Sequence, residues 1–222
     1  MTYLLRVAVP DRPGSLGALA TALGEVGADI VSLDVVERHD GLAVDDVLVE
    51  LPTGGLADSL LTAVHMVDGA GVESLRPWSG GVDLHRDLDL VEAFAADPAN
   101  AMTCLATESA GVFRAGWGLL VVQEEEDEVA RVLVGSAAAP EVKTLDLPFL
   151  PLPLARRIGT REHWIPESWQ ALGTELAVTP VGRPERALLL GRPGGPRFLP
   201  SEVVRLAHLA GLAATVEAAA AR

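Results

Sequence analysis

The chain has 222 residues, 49% hydrophobic and 22% charged, enough apolar content for a packed core in one or two soluble domains. Its formal net charge of -14 repels phosphate backbones and anionic bilayers, so neither nucleic acid nor membrane is an expected partner. Cys104, the single cysteine, leaves no internal disulfide and no thiolate metal cluster.

Arg6, Asp11 and Arg12 interrupt any apolar leader at the N-terminus. No run of about 20 apolar residues suited to a membrane span is expected. A cytoplasmic location follows as the expectation.

Leu5, Val7 and Val9 alternate with small or polar neighbours and predict a strand that stops at Pro10. The turn Asp11-Arg12-Pro13-Gly14-Ser15-Leu16 comes next. Leu16, Leu19, Ala20 and Leu23 then repeat at helical spacing, and Gly24 and Gly27 close the helix. Val31, Leu33 and Val35 predict a half-buried strand, His39-Asp40-Gly41 a turn, and Val47, Val49 and Leu51 a partner strand. Asp45 and Asp46 are neighbours on that strand, so they point to opposite faces and cannot form a close carboxylate dyad. After a break at residues 52–55, Ala57, Leu60, Leu61 and Val64 predict a second helix, and residues 72–77 a last strand. The order strand-helix-strand-strand-helix-strand is the ferredoxin-like arrangement, one antiparallel sheet with both helices on one face. It leaves an edge strand free for another sheet.

The residues Asp11-Arg12-Pro13-Gly14-Ser15-Leu16, the amphipathic helix after them, and Gly27-Ala28-Asp29-Ile30 resemble an ACT domain, over about the first third of the chain. The resemblance implies amino-acid binding at the turn, in a site often shared across a homodimer. Helix chemistry fits such a role. A glycine at the helix mouth admits close approach to the backbone. The first amides of a helix lack intrahelical partners and favour a carboxylate. Pro13 fixes the path of the chain, and Asp11 can accept hydrogen bonds from turn amides. Asp29 stands where the family often has Asn. An ionised Asp only accepts, so either it faces a ligand ammonium or the ligand has been lost. The candidate site is therefore Asp11, Arg12, Pro13, Gly14, Ser15, Leu16, Asp29 and Ile30.

Ser79-Gly80-Gly81 reads as a flexible joint, giving a first domain over 1–78, a linker over 79–83 and a second domain over 84–222. In the second domain Leu88, Val91 and Ala95 begin a helical region that breaks at Asp97-Pro98 and continues to about Ser109. Trp117, Leu119 and Val121 predict a strand, 124–128 a solvated acidic tip, and 129–136 the returning strand. Residues 140–168 are irregular and proline-rich, the pattern of a lid or pocket wall. Residues 175–181 and 186–190 predict two strands. A final helix follows Pro200, its stripe formed by Val203, Leu206, Ala207, Leu209, Ala210, Leu212, Ala213 and Val216.

This half resembles a divergent GAF domain, chiefly in Leu176–Val181, Ala187–Gly191 and the closing helix. PAS domains share the same α/β sandwich, so the expected fold class is α+β: a ferredoxin-like βαββαβ domain followed by a GAF/PAS-like sandwich. A second pocket would draw on Arg157, His163 and Trp164. The Arg156-Arg157 pair either grips an anion or offsets local acidity. Cys104 reads as a small buried residue.

No Gly-x-Ser-x-Gly elbow, Walker loop, dinucleotide fingerprint or His-Glu-x-x-His occurs. The expectation is a non-catalytic regulatory protein without metal or cofactor. It binds an amino acid or similar small molecule through the first domain and transmits this through a homodimer and a second sensory domain. The alternative is a ligand-free dimerisation or interaction module.

Overall fold

The alternating apolar runs form strands and the helical stripes form helices in the computed structural model, which describes residues 1–78 and 86–221. The expected joint at 79–83 lies outside the described residues. The chain divides into two units, Met1–Leu84 and His85–Arg222.

In the first unit β1 (Thr2–Pro10), α1 (Ser15–Glu25), β2 (Asp29–His39), β3 (Leu42–Glu50), α2 (Ala57–His65) and β4 (Gly71–Pro77) follow in order. The sheet runs β2-β3-β1-β4 with every pair antiparallel. Leu5, Val7, Val9, Val47 and Val49 pack against Leu19, Leu23, Leu60 and Val64 of the two helices. Each such side chain contributes roughly 1.5–3 kcal/mol by leaving water, so this layer dominates the unit's stability. The β2–β3 hairpin turns on Asp40 and Gly41, both at positive φ, 50° and 77°. That is the backbone a two-residue hairpin requires and the reason for the Asp-Gly pair.

One expected stripe is displaced. Gly14 is left-handed, φ 96°, and α1 begins at Ser15. The row facing the sheet is therefore Ser15, Leu19 and Leu23, while Leu16 stays 39% exposed and Ala20 is exposed.

In the second unit α3 (Arg86–Ala96) and α4 (Ala101–Val112) flank a 3-10 turn at Pro98–Asn100. Next come β5 (Trp117–Val122), β6 (Ala130–Gly135), β7 (Thr144–Leu145), β8 (Arg156–Ile158), α5 (Glu167–Ala171), β9 (Glu175–Val181), β10 (Arg183–Arg192) and α6 (Pro200–Ala220). The six strands order as β7-β6-β5-β10-β9-β8. Leu120, Ala177, Val181, Leu188 and Leu190 face α3, α4 and α6 through Leu90, Phe94, Leu105, Leu206 and Ala210. α4 lies close on β5 because Gly118 has no side chain; a Cβ there would stand 2.7 Å from the Ala106 carbonyl oxygen.

One departure from expectation occurs here. β10 starts at Arg183 rather than 186, with a register shift between Arg183 and Ala187 that carries its polar start alongside Val181. The closing helix is long and apolar, although Glu202, Arg205, His208 and Glu217 interrupt it. α6 is long and apolar enough to cross a membrane by length and composition, with mean hydropathy 1.4. Its Ala and Leu content raises hydropathy, yet Leu206, Leu209, Ala210 and Ala213 are used to pack on the sheet.

Arg192 ties this unit's elements together. Its side chain is fully buried and meets Glu202 at 2.6 Å. It donates to the Phe113 carbonyl at 2.6 Å and the Pro196 carbonyl at 3.1 Å, and lies 3.9 Å from the Phe198 ring centroid. Glu202 in turn accepts from the Leu199 amide at 2.8 Å, capping α6. Truncating one member of a buried pair strands the other's charge, so Arg192→Ala is expected to lower stability by about 3–5 kcal/mol. Urea unfolding followed by far-ultraviolet circular dichroism measures the change.

Candidate functional site

The turn between β1 and α1 is built at the end of the sheet where β3 begins. The Asp11 amide donates to the Gly41 carbonyl at 2.8 Å, and the Ser15 amide to the Arg12 carbonyl at 3.3 Å. Left-handed Gly14 caps α1 with no side-chain hydrogen bond. The Ser15 amide is thus taken within the turn, and no side chain caps the amides that follow it at the start of α1. Asp11, Arg12, Pro13 and Gly14 are exposed, Ser15 is buried, and Leu16 is partly open. Asp11 lies outside the helix cap, which is Gly14. Its carboxylate turns to Arg38 of β2, 3.9 Å away, and Arg12 turns to Asp68 at 3.3 Å. Asp29 and Ile30 begin β2, paired with Glu50 and Val49, at the opposite end of the sheet from the α1 turn. Within one protomer they do not join it, since β2 runs parallel to β1 in this topology.

Sequence reasoning missed the carboxylates of β3. Asp45 and Asp46 do face opposite sides, but both are buried. Asp46 receives the Arg6 guanidinium at 2.6 and 2.9 Å. Asp45 pairs across the ladder with Val7 and shares the helix-facing side with Val47 and Val49. Neither of its oxygens has a hydrogen-bond partner among the described residues. Burial pushes its carboxyl group above the usual range; Arg38 opposes this, and Asp46 and Asp11 reinforce it. The parity of Ala43, Asp45, Val47 and Val49 was the available signal.

In the second unit the candidates Arg157, His163 and Trp164 have different surroundings. Arg157 is exposed on edge strand β8, His163 is exposed, and the half-buried Trp164 sets its ring edge against Phe149, centroids 5.3 Å apart. Among the described residues no hydrogen bond or ring contact joins the three. The space under residues 140–173 is filled from within. Trp117 and Trp169 meet at 4.7 Å, surrounded by Leu119, Val178, Leu189, Ile165 and Phe149. Trp117 lies over Gly191, where a Cβ would stand 2.1 Å from its ring.

The acidic tip is tied down. Arg183 donates to Glu124 at 2.5 and 3.1 Å and holds that carboxyl below its ordinary range. Cys104 is half-buried rather than fully buried. Burial first, then Glu108 and Asp97, push its thiol up, away from the nucleophilic thiolate. Among the described residues no group of three or more His, Cys, Asp or Glu is placed to hold a metal ion.

Residues 3–67 match the ACT domain family, so the first unit is an ACT domain, a regulatory small-molecule-binding module. Comparison with curated proteins finds no match. Similar solved structures include the free methionine-R-sulfoxide reductase from Neisseria meningitidis in complex with its substrate. It is 10% identical, covers 65% of this chain and 97% of that one, and has TM-score 0.52. The GAF domain of a phosphoenolpyruvate-protein phosphotransferase from Acinetobacter is 13% identical, covering 62% and 93%, with TM-score 0.47. The corresponding domain from Coxiella burnetii is 14% identical, covering 63% and 96%, with TM-score 0.44. These likenesses concern fold alone. An ACT-family match over residues 3–67 is thus followed by an α/β sandwich that shares its fold with the Neisseria meningitidis reductase.

Asp45 carries a pH signature. Its folded carboxyl holds a proton more tightly than in the unfolded chain, so its burial destabilises the fold above its raised value and ceases to do so below the ordinary carboxylate range. Asp45→Asn is expected to melt higher than the parent at neutral pH, with the advantage vanishing as pH falls through that window. Paired thermal melts of the parent and the variant at neutral and at acid pH check the sign.

Proposed function

We propose that this is a non-catalytic regulatory protein that binds an amino acid or a similar small molecule at the Asp11–Leu16 turn. The observation that carries the reading is the uncapped start of α1 behind left-handed Gly14, set inside an ACT domain. Amides without partners and the positive end of the helix dipole favour a carboxylate there. Arg12 and Arg38 add positive charge beside the turn, each held only by an exposed ion pair. The ligand acts by favouring one arrangement of a homodimer, because a ligand shifts only an equilibrium whose states it binds unequally. Edge strand β2, with Val35 43% exposed, is the surface offered to a second copy. The protein works in the cytoplasm in this reading.

For the second unit the filled space around Trp117 and Trp169 favours the alternative, an interaction module rather than a second ligand sensor.

Thermal melts of the full chain with each of the twenty amino acids, tested singly, check the first claim. Saturation at about 100 times Kd adds about 2.7 kcal/mol, which raises Tm by several degrees. One or a few amino acids are expected to do this, and flat melts throughout would refute it. Gly14→Val forces a branched side chain into left-handed backbone and is expected to abolish the shift. Light scattering is expected to give the dimer mass, falling to the monomer in Val35→Arg.

A further inference from the structure

Near the α1 turn the carboxylate of Asp45 is fully buried, and neither oxygen accepts a hydrogen bond among the described residues. Strand register fixes where it sits. Asp45 opposes Val7, and Leu42, at the start of the same strand, opposes Pro10, the residue before the turn. On the helix side the row Leu23, Leu19, Ser15 runs toward that same end, because α1 returns along the sheet from the turn. Ser15, the first residue of α1, is buried at its finish. Asp45 therefore lies on the helix-facing side of the sheet, between Val7 and Val35, three positions along β3 from the strand end that adjoins the turn.

The charges that bear on Asp45 lead to the same place. They are Arg38 of β2, Asp46 beside it on β3, and Asp11 of the turn. Asp46 is engaged by Arg6 on the other face of the sheet. Arg38 and Asp11 face each other across an exposed 3.9 Å gap, too long for a tight pair. Asp45 thus has negative neighbours and one cation that leans elsewhere. A carboxylate out of water with no donor is destabilising, and the group that best answers it is an ammonium with N–H donors and a positive charge.

We propose that Asp45 is the ammonium receptor of the ACT unit: it takes the amino group of a zwitterionic ligand whose carboxylate lies on the first amides of α1. The inference rests on the reading that this turn binds an amino acid, and it adds what selects the amine. Arg38 is the side chain to be displaced on binding, since it shares with Asp11 the charge that closes this end. Carboxylic acids that lack the amine bind poorly because they leave Asp45 unanswered. Dicarboxylates are rejected by Asp45 and Asp11 together.

The test uses the full chain and the twenty amino acids one at a time. For each that binds, it adds the acid lacking only the α-amino group. Wild type is expected to shift with the amino acid and not with its des-amino analogue. Asp45→Asn is expected to weaken the amino acid's Kd by about tenfold or more, the scale of losing a charge-assisted hydrogen bond. Folding of the variant is read from its own melt without ligand, and the des-amino comparison on wild type needs no variant. An equal shift from the des-amino acid, or an unchanged Kd in a folded Asp45→Asn, overturns the role of Asp45 and leaves amino-acid binding standing. A wild type that shifts with no amino acid overturns that reading, and the Asp45 assignment falls with it.

Discussion

Neighbouring residues on a β-strand must face opposite ways, and on β3 that rule places two adjacent carboxylates in two separate dry environments. Asp46 meets a guanidinium in a two-point contact, so its charge is answered within the fold. Asp45 meets the helix layer and finds no donor. The first unit is therefore built around an asymmetry. On one side of its central sheet a buried carboxylate is paired with Arg6, and on the other a buried carboxylate has no hydrogen-bond partner among the described residues. A strand of Val and Leu alone would hold the same helices more firmly. The cost of keeping Asp45 is understandable where the nearby turn has work to do.

The second unit solves its buried charge differently. Arg192 sits at the last position of β10 and gathers the end of α4, the loop over 196–198 and the start of α6 onto one guanidinium. Five donors in a fixed fork suit such a junction, and lysine would not replace it. On the far face of the same sheet Trp117 and Trp169 pack on each other, and Phe149 meets Trp164, within a second buried apolar cluster.

Much of this was legible in the amino-acid sequence, for reasons that differ by element. The six-element order of the first unit follows from periods of 2 and 3.6 that its short segments keep cleanly. The α1 stripe was displaced because a left-handed glycine sets where a helix begins, and Leu16 alone does not reveal that. As a sequence neighbour of Asp46, Asp45 reads as half of a dyad that strand geometry forbids. Its parity with Val47 and Val49 already placed it among core positions. The hydropathy of α6 went unnoticed because its Ala residues look like packing material, which is the use the fold makes of Leu206, Ala210 and Ala213. Arg157, His163 and Trp164 are close in sequence, but an edge strand and an irregular loop send them to different surroundings. Nothing local in that loop encodes where it will land.

The paired indoles of the second unit have an optical consequence. Of the four tryptophans, Trp117, Trp164 and Trp169 belong to that unit, and two of them stand 4.7 Å apart at a 55° tilt. Transitions on rings so close mix, giving the pair a signed band whose shape depends on their mutual angle. The α1 turn has no aromatic residue between Asp11 and Leu16. A small aliphatic molecule docking there adds no chromophore and leaves that band alone unless the second sheet itself is disturbed. The band is thus an internal messenger: it reports what reaches the second unit, not what touches the first.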